Sequence, residues 1–244
     1  MKPFLLLGIR DEDAAADNEY AAFLGFTGLE ESLLHRVRLE RRPLGSVNLE
    51  DWSGIFLGGG PFNCSAEPAT KSAVQQRVEK ELAHLLDEVV ARDFPFLGAC
   101  YGIGVVGTHE GGTVDRRYAE PISRVRVSLT PAGRRDPLLV DLPGEFEAFV
   151  GHKEAVRDLP AHAVRLASSP QCPVQAFRVG ANVYATQFHP ELDVLGLCTR
   201  IEAYKHAGYF EPHQADSLKA MARRGEVVDP PRILTRFVRR FARA

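Results

Sequence analysis

The sequence predicts an α/β domain built on a largely parallel sheet, with helices appended at its C-terminus. Three observations lead there. Short apolar runs alternate with longer amphipathic stretches over about the first 190 residues. Past residue 192 the pattern changes to helices alone. Three motifs with chemical potential each fall where a predicted strand ends, the edge at which open α/β sheets bind ligands.

The first strand is Phe4–Ile9. Its apolar run is too short for a secretory core, and no small-residue cleavage site follows it. Val37–Glu40 and Gly54–Leu57 read as the second and third strands. A helix over Thr70–Arg92 follows, because Val74, Val78, Leu82, Leu85, Leu86 and Val89 recur at three- and four-residue steps among charges. Phe94–Gly98 is the next strand and runs straight into a small-residue helix. Val125–Leu129 alternates, turning Arg124, Arg126 and Ser128 away from the core, and Glu145–Val150 follows. Turn residues at Thr130-Pro131-Ala132-Gly133 and Leu142-Pro143-Gly144 mark an antiparallel insertion over 123–150. Ala163–Ala167, Val174–Arg178 and Val183–Gln187 complete the strands.

Three helices are expected after that: Leu192–Ala207 with Gly208 as its C′ glycine, His213–Arg224 ended by Gly225, and Arg232–Arg243 behind Pro230-Pro231. The division is a domain over 1–195 and a helical extension over 196–244 packed on it. Arg232, Arg236, Arg239, Arg240 and Arg243 recur at helical spacing and read as a solvated face.

The 244 residues are 45% hydrophobic and 25% charged, with 30 basic against 32 acidic side chains. That balance carries no electrostatic footprint for nucleic acid. No run approaches the ~18 apolar residues of a membrane span, so the expected location is cytoplasmic. None of Cys64, Cys100, Cys172 and Cys198 lies in a C-x-x-C pair. Zinc-ribbon and thioredoxin spacings are therefore excluded. Cys64, Cys172 and Cys198 read as small buried hydrophobes.

Cys100 has different neighbours. In Phe96-Leu97-Gly98-Ala99-Cys100-Tyr101-Gly102 a buried strand turns into a helix through Gly-x-Cys-x-Gly, the form of a nucleophile elbow. The sulfur then sits at a helix N-terminus, which favours negative charge. By itself the turn serves equally well as structure. The second motif is Thr186-Gln187-Phe188-His189-Pro190-Glu191, a histidine at a strand end with a carboxylate two residues on. A thiol nucleophile needs such a base, and the base needs an acceptor to orient it. His35, His84, His109, His162, His206 and His213 have no such company and read as structural or exposed. The third motif, Leu57-Gly58-Gly59-Gly60-Pro61, offers backbone N–H groups for close approach to a ligand, as an oxyanion requires. No phosphate-cradle pattern is present in it.

With these motifs in this order and spacing, residues 1–195 resemble the class I glutamine amidotransferase family, and within it the stand-alone, GMP-synthase-like domains. The tail segment Ala207-Gly208-Tyr209-Phe210 fits that subgroup. The resemblance implies a flavodoxin-like three-layer sandwich. It implies Cys100 as nucleophile, His189 as base and acid, Glu191 as the residue orienting the imidazole, and the N–H groups of Gly60 and Tyr101 as oxyanion hole. Gly59, Gly104 and Gly151 would lie against the substrate. The implied reaction is glutaminase-type, through a γ-glutamyl thioester, with no metal or organic cofactor and with ammonia passing to a synthetase subunit or to solvent.

Two positions depart from the family's pattern. Gly104 stands where the family has the glutamine of Cys-x-Gly-x-Gln, and Gly151-His152-Lys153-Glu154 stands for Ser-His-x-Asp. A glycine at 104 leaves room for a wider site and a larger γ-glutamyl compound. A γ-glutamyl peptidase is therefore the competing enzyme. A non-catalytic binding or regulatory relative is the third reading.

Overall fold

The computed structural model describes residues 1–206 and 210–244. In chain order the main elements are β1 (Phe4–Gly8), α1 (Asp13–Thr27), β2 (Leu34–Arg38), β3 (Gly54–Leu57), α2 (Ala73–Ala91), β4 (Phe96–Ala99), α3 (Tyr101–His109), β5 (Thr113–Asp115), β6 (Glu120–Leu129), β7 (Glu145–His152), β8 (Ala155–Asp158), β9 (Val164–Ser168), β10 (Ala176–Val179), β11 (Val183–Thr186), α4 (Val194–Ala203), α5 (Ala215–Arg223) and α6 (Pro231–Phe241).

One sheet takes the order β2-β1-β3-β4-β11-β10-β9-β6-β7. From β2 to β11 the neighbours are parallel. From β11 to β7 they are antiparallel, so the insertion expected around 123–150 joins the main sheet. β5 and β8 pair separately and were not legible as strands. Alternation along β1 explains the layers. Phe4 and Leu6 pack with Phe23 of α1 and Phe237 of α6 on one face, while Leu5 and Leu7 pack with Val78, Leu82 and Leu86 of α2 on the other. The rings of Phe56 and Phe237 lie 4.9 Å apart, which ties α6 into the core beneath β3. Among the described residues, no helix is long and apolar enough to cross a membrane.

Two expectations shift, and one helix, α1, stands where none was expected. The second strand is Leu34–Arg38 rather than Val37–Glu40, because Leu34 is the buried anchor of its register against Phe4. Helix α1 has little apolar periodicity: its buried residues are Ala15, Ala16, Glu19, Phe23 and Thr27, of which only Phe23 is large and apolar. Helix α4 ends at Ala203. The expected cap Gly208 and the Ala207-Gly208-Tyr209 part of the tail motif lie outside the described residues. Of the five arginines read as a solvated face, Arg232, Arg239 and Arg240 are exposed, whereas Arg236 and Arg243 are partly buried and pair with Asp141 and Glu50.

Helix α3 lies close against β4. A Cβ on Gly98 would stand 2.9 Å from the carbonyl carbon and oxygen of Gly102, closer than real contacts allow, and backbone cannot step aside as a side chain can. Gly98→Ala is therefore expected to destabilise the protein by about 1–3 kcal/mol, the usual cost of overpacking. A urea midpoint unchanged from wild type would refute this close packing.

Candidate active site

The strands β1, β3, β4 and β11 are neighbours and parallel, so their carboxyl ends open on one edge. All three motifs sit there. The register aligns Ala99 with Thr186, and the Cys100 N–H donates to the Thr186 carbonyl at 2.8 Å. One residue past the ladder the chain breaks into α3. Cys100 itself takes φ 53° and ψ −95°, and among the described residues only it and Asp93 are non-glycines at positive φ. Such a conformation costs on the order of 1–3 kcal/mol and persists only where its surroundings hold it. The elbow read from the sequence is thus a physical strain point, with a partly exposed cysteine at its tip.

Residues 187–191 leave β11 as a clamped segment. The Gln187 N–H donates to Gln175, the His189 N–H donates to Phe149 of β7 at 3.1 Å, and the Thr186 hydroxyl donates to Phe188. His189 Nδ1 donates to Glu191 Oε1 at 2.8 Å, and Glu191 is fully buried. Burial opposes an imidazolium, yet the charges of Glu191 and of Cys100 outweigh it and raise His189 to about 9. Burial likewise works against the Glu191 carboxylate, but His189, Arg200 and Arg10 hold it well below the usual carboxylate range.

The glycine loop closes over this pair. A Cβ on Gly59 would lie 2.7 Å from His189 Cε1 and 3.1 Å from the Cys100 Cβ. Gly59 therefore packs on the pair and does not line the cavities beside it, unlike Gly60, Tyr101, Gly104 and Gly151. Gly60, Cys100 and Gly151 separate two hollows. One is walled by Tyr101, Gly104, Lys153 and Glu154. The other is walled by His189, Arg10 and Arg200.

Gly104 provides no extra width. Cys64 Sγ would stand 3.2 Å, and Glu154 Oε1 3.3 Å, from a Cβ at that position. Glu154 is fixed there by the N–H groups of Cys64 and Ser65, at 2.6 and 2.8 Å. Burial, with Glu154 and Glu79 nearby, pushes the Cys64 thiol far up, so it stays neutral. Glu120, His152 and Cys172 bring potential metal-ligating atoms within 4.8 Å of one another. Most of these atoms already have partners: His152 Nε2 donates to Glu120 Oε2 at 3.0 Å, Gln175 donates to the same oxygen at 2.8 Å, and the Cys172 thiol, pushed up to about 12 by burial, points at the Val174 carbonyl, while Glu120 Oε1 has none. Glu120, His152 and Gln175 are thus joined by hydrogen bonds.

Sequence reasoning missed the charges behind Glu191. Arg200 of α4 donates to Glu191 Oε1 at 2.8 Å, and Arg10 at the end of β1 donates to Glu19 of α1 at 2.8 Å. All four side chains are buried. A signal existed: Arg200 shares the helical stripe of Leu197 and Ile201, where a lone charge is out of place unless paired.

A family model for glutamine amidotransferase class-I matches residues 32–194. A glutamine-hydrolysing GMP synthase subunit from Methanobrevibacter smithii is 31% identical over 140 residues, 57% of this chain and 64% of that protein. A glutamine-hydrolysing GMP synthase from Borrelia garinii subsp. bavariensis is 25% identical over 62% of this chain and 26% of its own length. The chain thus spans less than two thirds of these two relatives. In fold, a glutamine amidotransferase from Thermotoga maritima superposes with a TM-score of 0.79 at 20% identity, covering 100% of both chains.

Proposed function

The chain belongs to the class-I glutamine amidotransferase family, and on that premise we propose that it hydrolyses a γ-glutamyl amide, glutamine in the first instance, through a thioester on Cys100. The observation that carries the reading is the 2.8 Å His189–Glu191 ion pair held against a cysteine at a strained strand end. The Cys100 sulfur attacks the γ-carbonyl, with the N–H groups of Gly60 and Tyr101 stabilising the oxyanion. His189 gives its proton to the departing nitrogen as the C–N bond breaks, and then takes one from the water that opens the thioester. Glu191 keeps the imidazole oriented. The amino-acid end of the substrate lies in the hollow of Gly104, Gly151, Lys153 and Glu154, with Glu154 filling volume that a longer side chain at 104 would take. Ammonia passes to a separate synthetase subunit or to solvent. We assign the catalytic unit to residues 1–195, with the extension 196–244 contributing Arg200.

Incubating the protein with glutamine and quantifying glutamate tests the reading, together with labelling of Cys100 by a glutamine-like electrophile. Glutamate release with labelling at Cys100 supports it. Neither release nor labelling would leave a binding or regulatory relative.

The electrostatics predict a pH profile. With His189 raised to about 9, the proton donor stays charged through neutral pH, so kcat/KM is expected to fall on an alkaline limb near 9. The sign for stability follows. A folded value above the ~6.5 of a free imidazole means that the stabilisation is complete below about 6.5 and disappears as pH rises through about 9. An alkaline limb near 6.5 would contradict a His189 held by Glu191.

A further inference from the structure

Releasing ammonia requires no fixed cation, yet the hollow on the His189 side is built around two. Arg10 and Arg200 have side chains only 5% and 6% exposed. Arg10 Nε is held by Glu19 Oε1 at 2.8 Å, and its Nη1 donates to the Tyr204 hydroxyl at 3.1 Å. Arg200 Nη1 is held by Glu191 Oε1 at 2.8 Å, and its Nη2 lies 3.7 Å from Glu19 Oε1. Arg10 Nη2, Arg200 Nε and Arg200 Nη2 remain without a hydrogen-bond partner; Glu191 Oε2 is an unmet acceptor beside them, and Glu12 Oε2 and Asn18 Oδ1 are further buried acceptors without a partner. Buried donors left unmet are costly, and guanidinium groups suit carboxylates geometrically. The hollow's volume of about 60 Å³ exceeds the ~10–15 Å³ one water requires. Ile122, Leu197 and Ile201 supply an apolar wall.

Its place relative to the chemistry identifies what enters. Arg10 Nη2 sits 3.1 Å from the point where a Gly59 Cβ would stand, and the same point is 3.1 Å from Cys100 Cβ and 2.7 Å from His189 Cε1. His189 lines this hollow and not the one beside Gly104. An amide whose nitrogen is protonated by His189 must therefore project its leaving group here. We propose that Arg10 and Arg200 form a subsite for a carboxylate on the leaving amine, so that γ-glutamyl amino acids are better substrates than glutamine or neutral γ-glutamyl amides. This rests on the reading that Cys100 attacks a γ-glutamyl amide. The reaction balances with water alone: the C–N bond breaks, the amino acid leaves carrying the His189 proton, and water converts the thioester to glutamate and free thiol.

Two matched pairs of reagents test it on the full chain. Iodoacetate and iodoacetamide both alkylate sulfur, forming C–S as iodide leaves, and differ in the carboxylate. Mass spectrometry of the Cys100 peptide reads the site without turnover. Iodoacetate is expected to react at least tenfold faster at Cys100. The second pair is γ-glutamylglycine and γ-glutamylpropylamide, for which a tenfold or greater preference in kcat/KM for the glycine compound is expected. Both ratios should fall in R10Q/E19Q, which removes the two members of a buried pair together and leaves Arg200 as the subsite's one remaining cation. Should that variant not fold, the wild-type ratios still decide. Turnover with both ratios near one overturns the subsite and keeps the thiol hydrolase. Faster iodoacetate labelling without turnover of any γ-glutamyl amide overturns both the leaving-amine assignment and the hydrolase, leaving an anion pocket.

Discussion

Replacing Cys100 with alanine is expected to lower glutamate release from glutamine by roughly 10⁶-fold, the scale for removing a covalent nucleophile from an acyl-transfer site. Without sulfur no thioester forms, and His189 and the oxyanion donors have only water to activate. The substitution keeps a Cβ at φ 53°, so the strained backbone is as well tolerated as before. Cys100 is partly exposed and is not among the buried core residues. Thermal unfolding is accordingly expected to stay within about 0.5 kcal/mol of wild type. The check is a stopped assay of glutamate beside an unfolding curve on the same preparation. Alanine enzyme retaining a hundredth of the activity would exclude Cys100 as the nucleophile.

Glu191→Gln is expected to lower kcat by roughly 10⁴-fold, the scale seen when an orienting carboxylate becomes an amide. The change conserves volume in a fully buried place. It removes the charge that, against the cost of burial, raises His189 to about 9, so the alkaline limb should move downward. It also takes the counter-ion from Arg200, 2.8 Å away at its Nη1. Breaking a buried pair typically costs about 3–5 kcal/mol, and the amide oxygen left as an acceptor places this variant at the lower end. Were Glu191 only structural, activity would track the folded fraction and the pH profile would keep its shape. Measuring kcat and kcat/KM against pH on folded protein separates the two.

These expectations were accessible to different degrees. The run Gly98-Ala99-Cys100-Tyr101-Gly102 announces its own geometry, because a strand end, a positive φ and a helix start are set within five residues. His189 and Glu191 are equally local, two residues apart on a segment that Pro190 stiffens. Helix α1 was hidden because it buries alanines and Glu19 where a periodic apolar stripe would be sought. Gly104 misled, since a missing side chain in sequence looks like space. In the fold that space belongs to Cys64 and Glu154, which arrive from the chain segments before α2 and after β7.

What the sequence by itself determined is the order of strands through the parallel half of the sheet, the helix before β4, the three strand-end motifs, and the family they resemble. Each depends on periodicity or on neighbours a few residues away. Only the tertiary structure decided which charges face the site. Arg10 meets Glu19 and Tyr204, and Arg200 meets Glu191, because β1, α1 and α4 converge on one edge of the sheet. A buried charge survives only beside a partner, and which partner it finds is fixed by packing between distant segments.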